Sequence, residues 1–406
     1  MLRRRDFRLL LSGQGVSVLG DRMVVVALAF AVLEVGGSAA AVGLVLAAGI
    51  VPMVGSVLIG GVVADRVSRR GVMVGADLVR VISQGTMAAL LVAGAAEVWM
   101  LAALAAVTGA GTGFFNPAST GLLPQLVPPE ELQPANALRS SVVSLGEILG
   151  PLTAGLIVAA AGAGWAIAVD SATFAVSAAC LSLLRVSPTP EREPSSFLGD
   201  LRGGWDAFRT RRWVWTFVVY FAIANVMWGA WSGLGPVVAD RELGGAAVWG
   251  TVLAGFGVGA LAGSVLATWA KPRRPLVVVA VSEAFFALPI AFLAAAAPVP
   301  ALVIGTFLSG AGMMVGMSVW ESTLQRHIPE QWLSRVTAYD WFGSFAFYPI
   351  GLAMWGPISV AIGISTTLWI AFGVFMACVL ALLAVPDVRR LPPEPATASA
   401  LGRSAA

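Results

Sequence analysis

Long apolar runs fill most of the chain, and polar positions fall between the runs instead of alternating within them. The runs occupy residues 8–33, 40–64, 71–94, 98–118, 135–161, 165–185, 213–238, 246–270, 275–297, 300–321, 336–360 and 364–385. A helix needs roughly 20 apolar residues to cross a hydrocarbon layer about 30 Å thick, so each run predicts one membrane-spanning helix. Barrel strands are excluded, because no run has their period of two and lipid leaves an open sheet edge without hydrogen-bond partners. Pro52, Pro151, Pro289, Pro349 and Pro357 lie inside the runs and predict kinks.

Composition removes the alternatives to a polytopic membrane protein. Of 406 residues, 58% are hydrophobic and 12% charged, and twelve spans leave no stretch long enough for a large soluble domain. Cys180 and Cys378 stand far apart within apolar runs and read as packing residues. His327, the only histidine, reads as a solvated loop residue with no companion for a metal site, so neither metal nor other cofactor is expected. Arg66, Arg69 and Arg70, five arginines between 192 and 212, Lys271, Arg273 and Arg274, and Arg326 and Arg335 all fall in loops on one side, against Arg241 alone on the other. That asymmetry predicts an even span count with both termini in the cytoplasm. The opening MLRRRDF reads as the arginine cluster of a retained first span, since no small-residue cleavage site follows it.

The longest polar segment divides the spans six and six. The expected organisation is a helical bundle over 1–185, a cytoplasmic linker over 186–212, a second bundle over 213–386 and a disordered tail over 387–406. Within the linker, Phe197, Leu201, Trp205 and Phe208 are spaced like one face of a helix, predicted to lie on the inner membrane surface. The halves repeat: GGSAAAVGLVLAAG at 36–49 and GGAAVWGTVLAGFG at 244–257 each open the second span of a half. Parallel six-span repeats predict a transporter with its substrate site between the halves, near the bilayer midplane.

Several motifs then carry a family resemblance over nearly the whole chain. GGVVADRVSRR, with Gly61, Asp65, Arg66, Arg69 and Arg70, resembles the signature between spans two and three of the major facilitator superfamily. GEILGPLTAG, with Gly146, Gly150, Pro151 and Gly155, resembles the fifth-span pattern carried by antiporters of that superfamily. FFNPASTGLLPQLVPPEELQPANAL and the early Leu19 to Asp21 are similar to its macrolide-efflux and enterobactin-export branch. The resemblance implies an all-α membrane fold of two pseudo-symmetric six-helix bundles. It also implies a cytoplasmic gate in which Asp65 meets the start of span eleven near Ser334 and Arg335, opening and closing as the protein alternates. The second half has Trp269 about where Asp65 would fall, so such a latch is one-sided. The simpler alternative is that these arginines only set topology and meet lipid phosphates.

Charges inside the spans are the strongest pointers to mechanism, because a charge at the bilayer centre costs at least about 2.5–3.5 kcal/mol on insertion scales. Asp21 and Arg22 lie halfway along span one but point about 100° apart, so each needs its own partner. Counting residues from the span ends puts Glu147 at the depth of Arg22 and predicts an Arg22–Glu147 pair, which leaves Asp21 to exchange a proton. The alternative is one static network of Asp21, Arg22 and Glu147. Asp77 and Arg80 are expected to form a structural pair near the inner end of span three, and Glu321 and Asp340 to be solvated or salt-bridged. Asp170 and Glu283 fall on spans that the resemblance makes peripheral.

For a substrate cleft the sequence offers Phe114, Phe115 and Asn116 on span four, Asn225, Trp228 and Trp231 on span seven, and Trp341, Phe345 and Tyr348 on span eleven. Asn116, Asn225, Trp228, Trp341 and Phe345 are the expected substrate-binding set, suited to bulky amphipathic compounds. The expected function is export of hydrophobic or amphipathic small molecules by proton antiport, from a protein that works as a monomer in the bilayer and binds no nucleic acid. Export of a siderophore or other anionic metabolite, which would call on Arg22 or Arg139, is the alternative within the class; a non-transporting sensor is the alternative outside it. No G-x-x-x-x-G-K, H-E-x-x-H or G-x-S-x-G occurs, which argues against a built-in ATPase or the commoner hydrolases.

Overall fold

The computed structural model describes residues 4–185, 205, 208–270 and 272–392. Twelve of its segments are long and apolar enough to cross a membrane. The first half contains α1 (Arg5–Glu34), α2 (Ala39–Arg66), α3 (Arg69–Val92), α4 (Val98–Leu126), α5 (Leu132–Ala161) and α6 (Ala163–Ser182). In the second half α7 (Arg212–Val238) runs into a π turn over Ala239–Leu243 and is followed by α8 (Ala246–Trp269). The ninth span is α9 (Pro275–Phe286) with α10 (Leu288–Ala294), the tenth is α11 (Val299–His327), the eleventh α12 (Glu330–Phe345) with α13 (Tyr348–Ile362), and the twelfth α14 (Ile364–Ala384).

Prolines explain both the breaks and the continuities. Pro289 and Pro349 sit in the first turns of α10 and α13, where a missing N–H costs nothing, so the ninth and eleventh spans break before them. Pro52, Pro151 and Pro357 stay inside unbroken helices. The fourth span continues past Pro117 and Pro124 to Leu126, farther than its apolar run extends. There Arg69 of α3 donates to the Gly121 carbonyl, an outside partner for the proline-interrupted turn. Arg70 donates to the Ser182 carbonyl at the end of α6, where the last carbonyls lack helical partners and the dipole favours a cation.

The turns at the end away from the termini repeat between the halves. Gly36, Gly94 and Gly162 in the first half correspond in order to Gly244, Ala296 and Gly363 in the second, all with positive φ. Ala296, at φ 49°, carries a side chain where its counterpart has none. Ala296→Gly is expected to raise the thermal midpoint of the purified protein slightly, by relieving roughly 1 kcal/mol of left-handed strain. A lowered midpoint would show that the methyl group makes a compensating contact.

Within the first bundle α1 packs on α5 and α6, α2 on α4, and α3 on α4 and α6. In the second, α11 packs on α8 and α9, and α7 on α12, α13 and α14. The bundles meet along two seams, α2 with α13 and α5 with α8. Close backbone approach at these seams needs glycine: a Cβ at Gly43 would strike the Leu352 carbonyl, and one at Gly250 the Pro151 carbonyl. The described approaches of this kind lie toward the end opposite the termini. The last of them, Gly257 against the Glu147 carbonyl, comes at mid-depth.

Three expectations change here. The tail begins as an ordered turn, α15 (Pro386–Arg390), with Val388 buried and Asp387 Oδ2 4.0 Å from Arg212 Nε; residues 393–406 lie outside the described residues. Of the linker face, Phe197 and Leu201 also lie outside them. Trp205 and Phe208 stack on each other, and Tyr339 of α12 meets Trp205 edge-on and Phe208 at a tilt, with ring centroids 5.5–5.7 Å apart, so this end of the linker is seated on protein. Finally, His327 is half-buried, its Nδ1 3.0 Å from the Thr323 carbonyl and its ring near Trp213, because it closes the last turn of α11 instead of entering a loop.

Candidate translocation site

Asp21 and Arg22 are neighbours on α1 that turn to different partners. Arg22 Nη2 lies 3.1 Å from Glu147 Oε1 on α5, with the side chains 42% and 32% exposed. The approach is set by the fifth-span glycines. Gly146 lies against Val18 and Gly150 against Arg22 on α1, while Gly155 faces Ala246 and Ala247 at the start of α8. The pattern therefore packs one helix against both bundles, and Glu147 sits where the seam with α8 ends.

Asp21 belongs to a second charge group, and a single Asp21–Arg22–Glu147 network is not what the helices build. Asp21 Oδ2 is 3.6 Å from Arg80 Nη1, and Arg80 also binds Asp77 one turn away. The expected i,i+3 pair of Asp77 and Arg80 forms, and with Arg80 1% exposed and Asp77 fully buried it lies in the core of the bundle. The guanidinium lies 4.4 Å from the Phe115 ring centre and 4.0 Å from that of Phe174, which holds it in place. Phe115 is thereby a buried support for Arg80 and not a cleft wall. Gln84, one helical turn farther on the same face of α3, donates to Asp170 Oδ2 of α6 at 3.1 Å. Asp170 is fully buried between helices, α6 packing on both α1 and α3. The spacing Asp77, Arg80, Gln84 is the sequence signal for this group: three polar side chains on one stripe of a membrane helix.

A third polar group lies nearer the termini. Gln14 Nε2 of α1 and Arg139 Nη2 of α5 both donate to Ser119 Oγ of α4, at 2.6 and 3.0 Å. Arg139 is half-buried and makes no ion pair among the described residues. On α4, Gly113 faces α2 and Ser119 faces α1 and α5; Asn116 projects between those directions and is exposed.

The second bundle contributes mainly aromatics. Trp341 and Phe345 stack with centroids 4.6 Å apart and remain exposed, Trp341 by 57%. Trp228 stacks on Phe286 of α9 at 4.0 Å, and Asn225 turns its amide to the Phe221 carbonyl. Trp231 is buried against Trp249 and does not line an opening, while Tyr348 donates to Ser232. Asp340 is buried and accepts from Trp320 Nε1 at 2.9 Å, so it is neither solvated nor salt-bridged. Glu283, also buried, accepts from the Tyr220 hydroxyl at 3.2 Å. The side chains of Gly61, Asp65, Arg66 and Ser334 lie outside the described residues; the backbone places Asp65 in the last turn of α2.

Two six-helix bundles joined along glycine seams, with charged pairs at mid-span, define a multi-pass membrane transporter. The sequence profile of the Major Facilitator Superfamily matches residues 10–347, and the chain belongs to that family. It is 26% identical to the multidrug efflux pump Tap of Mycolicibacterium fortuitum over 368 residues, 86% of this chain and 88% of that protein. It is 23% identical to macrolide efflux protein A of Streptococcus pyogenes over 233 residues, 56% of this chain and 57% of that one. Among solved structures it resembles the nucleoside transporter NupG, with a TM-score of 0.76 at 12% identity, covering 93% of this chain and 98% of NupG. A bacterial homolog of the human lysosomal transporter Spinster matches with a TM-score of 0.73 at 14% identity, covering 97% and 98%.

Proposed function

We propose that the protein exports hydrophobic or amphipathic, drug-like small molecules by proton antiport, alternating access between two sides of the membrane. The observation that carries this reading is the half-exposed Arg22–Glu147 pair at the point where the inter-bundle seam ends, beside an acid, Asp21, that has its own cation. Exposed Trp341 and Phe345 supply apolar surface for a bulky ligand, and Asn116 a polar contact. Asn225 and Trp228 complete the proposed binding set. The efflux activities of the two curated relatives support the substrate class. The arginine bias supports cytoplasmic termini, which would make the described state inward-facing. In this reading residues 1–185 and 213–386 move as the two bundles. Gly61, Asp65, Arg66, Arg69 and Arg70 form the cytoplasmic gate, with Arg69 and Arg70 anchoring it to α4 and α6.

A panel of drug-like compounds on proteoliposomes with an imposed pH gradient tests the reading. Wild type is expected to accumulate substrate against its gradient and to move protons in exchange, and Asp21→Asn to bind substrate without accumulating it. Binding without movement in wild type would make the protein a sensor. Half-buried Arg139 favours one second reading, in which the exported compound carries an anionic group. Preference for carboxylate-bearing members of the panel, lost in Arg139→Gln, would select it.

A further inference from the structure

Asp170 is the member of the buried charge group that the mechanism above leaves unused. Its carboxyl meets only neutral donors: Gln84 Nε2 at 3.1 Å and, at a long 3.5 Å, the Thr173 hydroxyl, which lies closer, at 2.7 Å, to the Asp170 main-chain carbonyl. The charged groups facing it are Asp21 from α1 and Arg80 from α3, and Asp77 of α3 shares that arginine. Among the described residues α5, its remaining neighbour, brings no cation within 4 Å of it. One guanidinium thus serves three carboxyls, and Arg80 is already bound to Asp77 and clamped by two rings. Gln84 Oε1, beside Asp170, is buried without a hydrogen-bond partner. A fully buried carboxylate without a counter-ion is far costlier than a neutral acid. α1 passes directly beside it, one residue from Asp21: a Cβ on Gly20 would collide with both Asp170 Oδ1 and Thr173 Oγ1.

We propose that Asp170 is the proton-carrying acid of the transport cycle, loaded and unloaded through Asp21. This rests on the proton-coupled reading above. Asp170 holds the proton as a carboxylic acid; Asp21, 39% exposed, is the carboxylate that takes it and releases it to the cleft. Asp170 is then an anion, and Arg80 is left facing three carboxylates at once. α1 carries the consequence to the substrate side. Asp21 faces the charge group and Arg22 the Glu147 pair on one rigid helix, so repulsion at α6 shifts the helix that shapes the cleft.

The test compares wild type with Asp170→Asn in proteoliposomes, reading substrate-induced proton release, uphill accumulation, and exchange of labelled for unlabelled substrate. Asp170→Asn is expected to lose proton release and accumulation to background while retaining exchange, a split that a merely structural role would not produce. Full substrate-linked proton release from Asp170→Asn overturns the proposal and leaves the proton-coupled reading intact; no proton release from wild type overturns both. If the variant fails to reach the membrane, wild type is treated with dicyclohexylcarbodiimide, which modifies protonated carboxyls in apolar surroundings, and peptides are mapped by mass spectrometry. Label on Asp170 supports the assignment, and label confined to Asp21 or Glu147 overturns it.

Discussion

Arg80→Ala is expected to cost the folded protein about 3–5 kcal/mol, the penalty for leaving a buried charge without its partner. Asp77 has no solvent to turn to, and the Phe115 and Phe174 faces lose the cation between them. The outcome should be a steep fall in monodisperse yield and in the thermal midpoint of detergent-solubilised protein. Adding Asp77→Asn should recover part of the loss by removing the stranded charge. Arg22→Ala is the contrast: its pair with Glu147 is 42% and 32% exposed, so its structural cost should stay within about 1 kcal/mol. Equal midpoints for Arg80→Ala and Arg22→Ala would show that the buried group does not hold the first bundle together.

That contrast marks how far the sequence could be read. The spans were legible because apolar runs and membrane thickness constrain each other, and the repeat because the same turn chemistry closes both halves. Depth was legible as well: counting along each helix set Arg22 level with Glu147, and the two stand 3.1 Å apart. Azimuth was not. The direction in which Asp21 points depends on how α1 is rotated against α3 and α6, which no single-chain periodicity fixes when hydrophobic residues surround the helix. The i,i+3 pair of Asp77 and Arg80 was legible and forms, but its link to Asp21 was not, for the same reason, and Asp170 was set aside because the resemblance made its span peripheral, although its side chain is buried. Aromatics were the least legible: in a greasy helix Phe115 and Trp231 carry the same signature as Trp341, and only packing separates core from opening.

Gly43→Leu is expected to slow transport by about 5- to 150-fold while leaving the protein in the membrane. A side chain at this position meets the Leu352 carbonyl of α13, a backbone atom that cannot rotate away. Overpacking of this kind typically costs 1–3 kcal/mol. Here the cost falls only on the state in which the α2–α13 seam is closed, because separating the bundles relieves it. A bias of about 1–3 kcal/mol changes a two-state ratio by roughly 5- to 150-fold, so a cycle that must pass through the closed seam slows by that order. Spin labels on the ends of α2 and α13 farthest from the chain termini should report a longer distance in the variant, and transport should fall in step with the population that lengthens. Near-wild-type transport with an unchanged distance would mean that the seam yields locally, and that it does not gate the cleft.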